Sequence, residues 1–525
     1  MQLPRRTFLV GGFSAFSACG YAMPRSGTGA DARLQTGLGG GAGSGFMNRT
    51  ADGTGAIPES AEDALRAPPV RPEQYGLLTN PTVATATLLR AFTHAMAERR
   101  PIELSGHYTI NGPITPVAAI NGIELHLRLR GRVTITVDAG ARAFQRVFFA
   151  ESATVTSHSI TGDGTLTIDC NDKVAAGIWL RHNAAQMGGS ILIDRPVTVR
   201  NVHGSAVDDT VSGIIVSGRF ATVVMRSPTV EDVTRDKAAA ECSGICTSRV
   251  EGAVELYSPT VRRIRIGAGT ADADGIKCFG HQATPFPARA RGSVRIYDPT
   301  FEDCQGRSYK DQCGDTIIYR PVVRRNARVL VAAANALEFD FQCGGGLVLD
   351  AQVEYYRNGA TSPLATSHSV VAFQQLISDA ELYGAIRNST IISDVEIPRF
   401  ALVEASGAAS TSEVDGLTLI PANGFSGSLL GRGVMEFNAA KVVAKSTETI
   451  LAVRNVSGPI ASPCIAYTSY TRGDLSQKLS VEVDNCSTTL PGPGRGLRAI
   501  SGISGNQIMA FRAFRLGRNP GFRNE

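Results

Sequence analysis

Five segments of this chain read as variants of one strand: "DRPVTVRNV" (194–202), "RSPTVEDV" (226–233), "YSPTVRRI" (257–264), "YDPTFEDC" (297–304) and "YRPVVRRN" (319–326). Their prolines, at 196, 228, 259, 299 and 321, are 32, 31, 40 and 22 residues apart. A second series runs between them: "GIWL" at 177, "GIIV" at 213, "GICT" at 244 and "GIKC" at 275, with steps of 36, 31 and 31. Both series are rich in Val, Ile and Thr, with no helical pattern between them. Two such series in phase restrict the fold to stacked coils that absorb insertions at one bend. Parallel strands ordinarily need a helical crossover; a coil that returns through a short turn does not. With 56 glycines and 6% aromatic residues, the composition is that of an all-β, turn-rich chain.

Register sorts the residues. In the glycine series Ile178, Ile214, Ile245 and Ile276 share one position and are expected to point inward as an aliphatic ladder. The next residue must point outward, which puts Trp179, Ile215, Cys246 and Lys277 in one outer column. In the proline series Val233, Ile264 and Cys304 align, so Cys304 reads as core filler.

The variable bends "HGSAVDDTVS" (203–212), "TRDKAAAECS" (234–243), "GAGTADAD" (267–274) and "QGRSYKDQC" (305–313) fall at the same corner of successive coils. Loops at one corner line one groove, and function concentrates on such loops. The groove is expected to carry Asp208, Asp209, Arg235, Asp236, Lys237, Glu241, Asp272, Asp274, Arg307, Tyr309, Lys310 and Asp311, with Lys277 and Trp179 on the adjoining strand.

Upstream, Leu88, Leu89, Phe92 and Met96 have helical spacing within 82–98, and "RRPIELSGHYTINGPI" then reads as strand, turn, strand. A helix leading into such a strand, followed by stacked coils, resembles the right-handed parallel β-helix of the pectate-lyase-like superfamily. There a helix covers the open end of the first coil. The resemblance implies an all-β single-stranded solenoid with an N-terminal capping helix, and a carbohydrate substrate. It rests on architecture. The galacturonan hydrolase pattern is not matched, since "HG" (203–204) precedes "DD" (208–209) and Gly275 stands where arginine is usual. The lyase motif Arg-x-Pro-x-x-Arg is also absent, because Arg320 directly precedes Pro321.

Three functions suit a long groove of mixed charge. The first is a lyase acting on an acidic, uronate-containing polysaccharide. β-Elimination needs a cation beside the carboxylate, a base for the C5 proton and an acid for the leaving oxygen. Lys310 is then the base, Arg307 the carboxylate clamp, Tyr309 the acid and Lys277 a further cation. Trp179, Asp208, Asp209, Asp272, Asp274 and Asp311 would bind substrate, and the acidic pairs are of a type that holds Ca²⁺. The second is a glycoside hydrolase using Asp208/Asp209, Asp272/Asp274 or Asp311/Asp315. The third is a non-catalytic polysaccharide-binding or adhesin rod, with Trp179 stacking on sugar.

The formal net charge of +5 is too small to indicate nucleic acid. Arg5 and Arg6 precede Phe8, Leu9 and a weakly apolar Gly/Ser/Ala run, which resembles a twin-arginine export signal over 1–22. Processing after Ala22 and lipidation of Cys19 in "FSAC" are alternatives, and either places the protein in the periplasm or outside the cell. Residues 23–68 read as a Gly/Ser/Pro-rich tether, 69–489 as the β-helix and 490–525 as a basic tail or cap. No run is long and apolar enough to span a bilayer. The nine cysteines beyond the signal cannot all pair, and no histidine stands at ligand spacing beside Cys242 and Cys246. Buried free thiols and no metal site are expected. The sequence leaves monomer and trimer open.

Overall fold

The structure is a computed structural model. It describes residues 68–116, 123–205, 210–236, 242–267, 272–279, 292–312, 315–326, 336–343, 345–357, 368–374, 382–404, 410–438, 448–460, 465–468, 478–490, 496–497, 510–516 and 523–524. The expected signal and almost all of the tether lie outside these residues, as do Asp208, Asp209, Lys237 and Glu241.

The chain forms a parallel β-solenoid. One face is an eleven-stranded sheet whose strands run from Phe144–Ser152 through Val174–His182, Val211–Ser217, Cys242–Ser248, Ala273–Phe279 and Tyr309–Gln312 to Ile465–Thr468. A 23-stranded sheet carries the other two strands of each coil, for example Thr222–Arg226 and Pro228–Arg235, then Ala253–Tyr257 and Thr260–Ile266.

Each motif in the sequence has a backbone cause. The residue before the proline turns the chain between the second and third strands. Ser227, Ser258, Asp298 and Arg320 there have φ of 47°, 48°, 52° and 50°. Asp350, Asn388, Asn455 and Asn485 continue the column at 51° to 56°. The left-handed conformation costs a non-glycine residue roughly 1–2 kcal/mol. It is tolerated because each corner N–H stays in the ladder, as from Ser227 to Tyr257 O (2.7 Å) and from Asp298 to Tyr319 O (2.9 Å). Proline follows because its fixed φ starts the next strand from that corner.

The glycine series has a different origin. Gly213 and Gly244 face the interior against the third strand of their own coils. A Cβ there would stand 2.3 Å from Cγ1 of Val230 and 2.4 Å from Cγ1 of Val261. The coil is thin at this level, and only glycine fits.

Helix Pro81–Ala97 is capped by Asn80, whose side chain accepts from the Val83 N–H at 3.0 Å. It buries Leu88, Phe92 and Met96, with the Phe92 ring 5.5 Å from Phe148 on the first strand of the eleven-stranded sheet. Leu89 is only half-buried. Cys170, Cys242, Cys246, Cys278, Cys304, Cys343 and Cys486 are free and buried, and burial pushes the Cys304 thiol up to about 12. In the basic tail, Ala510–Leu516 pairs in parallel with Lys478–Asp484 and adds a strand to the larger sheet. Among the described residues no helix is long and apolar enough to cross a membrane.

Candidate functional site

The eleven-stranded sheet positions the candidate residues. Ile178, Ile214, Ile245 and Ile276 are in register on neighbouring strands and fully buried. Outside them run Phe149, Trp179, Ile215, Cys246, Lys277, Lys310 and Asp340, one residue per strand.

The same register corrects two assignments. Tyr309 pairs with Ile276 and Asp311 with Cys278, so both point into the coil and are fully buried. There Thr316 Oγ1 donates to Asp311 Oδ2 at 3.0 Å and lies 3.1 Å from the Tyr309 hydroxyl. Neither residue lines an outer groove. Arg235, also expected in the groove, is fully buried as well. The physical reason is the two-residue period of a strand: once Lys310 faces out, its neighbours face in.

Arg307 is on the outer side but already engaged. Nε donates to Asp274 at 2.8 Å, Nη1 to Asp340 at 2.7 Å, and Nη2 contacts Asp272. Its guanidinium fills the space between three carboxylates, which corrects its expected role as a clamp for a substrate carboxylate. Burial works against the charge, but the three acids outweigh it and push the guanidinium pKa up. Lys310 donates to Asp272 at 3.1 Å. Burial would raise the Asp272 carboxyl, yet Arg307 and Lys310 hold it below the usual range. Fully buried Asp274 is pushed up by desolvation, against the pull of Arg307. Among the described residues no group of three His, Cys, Asp or Glu side chains is placed to hold a metal ion.

Lys277 differs from the other cations. Burial, reinforced by the Lys310 and Arg307 charges, pushes its amine down to about 6, and Nζ lies 4.1 Å from the centre of the Phe279 ring. It closes one end of a cleft of about 260 Å³. Ile215 and Cys246 contribute apolar surface, Ser217, Ser243 and Ser248 contribute hydroxyls, and Trp179 lines the far end. Trp179 and Lys277 are three strands apart, about 14 Å at the usual strand spacing. Arg146 covers the Trp179 ring at 4.1 Å, and the indole Nε1 is buried without a hydrogen-bond partner. An elongated cleft with apolar and hydroxyl surfaces, an indole and one amine that is largely neutral near pH 7 can bind a short polyhydroxylated chain and remove a proton from it.

Two features escaped the reading of the sequence. Asp340 joins the Arg307 cluster, and the alternation in "FDF" (339–341) is the signal that exposes it. Inside the coil, Glu338 accepts from Arg325 Nε and Nη2 at 2.8 Å each and from the Tyr355 hydroxyl at 2.9 Å, and contacts Ser308 Oγ. That buried network has no local sequence signal, because its members come from four different strands and turns.

No family model and no curated protein matches the chain. Among solved structures, the surface protein and adhesin PfbA of Streptococcus pneumoniae is similar over 81% of this chain and 98% of that one, at 10% identity and a TM-score of 0.42. Similarity at that level carries no statement about ligand or activity.

Proposed function

We propose that this chain binds an acidic polysaccharide in the cleft between Trp179 and Lys277 and cleaves it by β-elimination. The observation that carries the reading is Lys277, an amine whose pKa is pushed down to about 6 at the end of a cleft with apolar and hydroxyl surfaces. A neutral amine there is the base that takes the C5 proton. Arg307 and the three aspartates hold the strand that flanks it, and Lys310 supplies positive charge beside the base. We place the protein outside the cytoplasm, exported through the Arg5-Arg6 signal.

A second reading, a binding rod without turnover, is favoured by the pairing of Arg307 and Lys310 with carboxylates. A hydrolase finds less support, since Asp272 and Asp274 are both spent on Arg307. Purified protein is mixed with a panel of uronate-containing polysaccharides and followed at the ultraviolet band of unsaturated uronates and by reducing-end assay. Lyase action gives both signals, hydrolysis only the second, and a binding rod neither while still retaining polymer. Lys277→Ala is expected to lower the lyase rate by about 10²–10⁴-fold; full activity in that variant refutes the assignment of the base.

A further inference from the structure

Away from this cleft, the first coils bring a serine, a histidine and a glutamate together on the 23-stranded sheet. His126 begins strand His126–Val137, and its register partner on strand His158–Gly162 is Ser159. Ser159 Oγ lies 2.9 Å from His126 Nδ1. His126 Nε2 lies 3.3 Å from Glu124 Oε2. The other oxygen of Glu124 accepts the Ser157 N–H at 2.9 Å, which fixes the carboxylate. Glu124 and His126 are two residues apart, as are Ser157 and Ser159.

We propose that Ser159, His126 and Glu124 form a second, hydrolytic site that cleaves carboxylic esters, with Ser159 as nucleophile, His126 as base and Glu124 as the residue that positions the base. The chemistry is that of a Ser–His–carboxylate triad, recognised by geometry and roles and not by order in the chain. With its proton on Nε2, the imidazole donates to Glu124 and leaves Nδ1 to accept from Ser159. Glu124 is in the right state: burial would raise its carboxyl, but His126 and the Ser157 N–H bring it below the ordinary value. The neighbouring His158 is no competing cation, since burial pushes it down to about 3 and its Nδ1 accepts the Leu125 N–H at 3.0 Å.

The largest cavity among the described residues adjoins this group. It measures about 620 Å³ and is lined by Glu103, Arg128, Arg130, Thr161 and Asp163, among others. Arg128 and Thr161 are a register pair two residues beyond His126 and Ser159, about 7 Å along the same face. Ser159 keeps 6% of its surface exposed. The polar lining suits an ester whose alcohol is itself polar, such as an O-acyl group on a hydroxylated substrate.

The reaction balances with water as the only co-reactant. Ser159 Oγ bonds to the acyl carbon while its proton passes to His126 Nδ1. The ester C–O bond breaks, and the alcohol leaves with that proton. Water then gives a proton to His126 and its oxygen to the acyl carbon. The acid departs, and Ser159 takes the proton back. This inference does not depend on the proposed lyase function.

The test is a fluorophosphonate probe on the full chain, with the adduct mapped by peptide mass spectrometry. Labelling of Ser159 in the unaltered protein is expected. No adduct, or an adduct only elsewhere, overturns the proposal, and this needs no variant to fold. Ser159→Ala, checked for an unchanged melting temperature, is expected to lose the label and at least about 100-fold in hydrolysis of p-nitrophenyl acetate. Unchanged hydrolysis in a folded Ser159→Ala protein also overturns it. Glu124→Gln is expected to lower kcat with little change in KM, which a merely structural role would not produce.

Discussion

Gly244 lies directly against Val261, so that a Cβ on the glycine would stand 2.4 Å from the valine Cγ1. The two residues belong to the two repeating motifs of the sequence, and their contact sets the thickness of the coil. Gly244→Ala is therefore expected to destabilise the protein by about 1–3 kcal/mol through overpacking. Val261→Ala should recover part of that loss in the double variant. Equilibrium denaturation of the two single variants and the double variant measures the coupling.

The neighbouring ladder gives the complementary case. Ile245 is fully buried between Ile214 and Ile276. Ile245→Ala should cost about 2–5 kcal/mol, as a cavity in a packed core does. The same denaturation series checks it.

Arg307 holds three carboxylates at once, two of them almost fully buried. Arg307→Met should destabilise the fold by about 3–5 kcal/mol, because it leaves buried charge uncompensated. Lost activity in that variant would then follow lost structure, which thermal melting monitored by circular dichroism reveals.

Lys277 makes stability depend on pH. Its amine is pushed from 10.5 to about 6 in the folded chain. Between those values the unfolded chain binds the extra proton, so the cost of burying the lysine is largest near pH 6 and below and fades as pH rises towards 10.5. Lys277→Met should raise the melting temperature most at pH 6–7, with the gain shrinking at pH 9–10. A gain that grows with pH would contradict the shift.

Tyr309 should be silent in function. Its hydroxyl meets Thr316 inside the coil, and Tyr309→Phe should cost about 0.5–1.5 kcal/mol, the net worth of one hydrogen bond. Turnover on any active polysaccharide should be unchanged.

The sequence by itself determined the coil. Strand period and steric fit are local: a proline after a left-handed corner, a glycine where the coil is thin, and alternating apolar residues each leave a mark at fixed spacing. The inward column at Ile276 and the outward one at Lys277 were legible for the same reason. Even the inward turn of Tyr309 was present, because "SYK" at 308–310 occupies the positions of "GIK" at 275–277; the high charge of the segment hid the alignment. The tertiary structure alone decided which charges meet. Asp340 reaches Arg307 across 33 residues, and Ser159 reaches His126 across another 33. Ion pairs and hydrogen bonds are fixed by distances between coils, and those depend on the loop lengths and bulges of every coil between them. A strand's own sequence carries its period and its faces, but not the side chain that the next coil will set beside it.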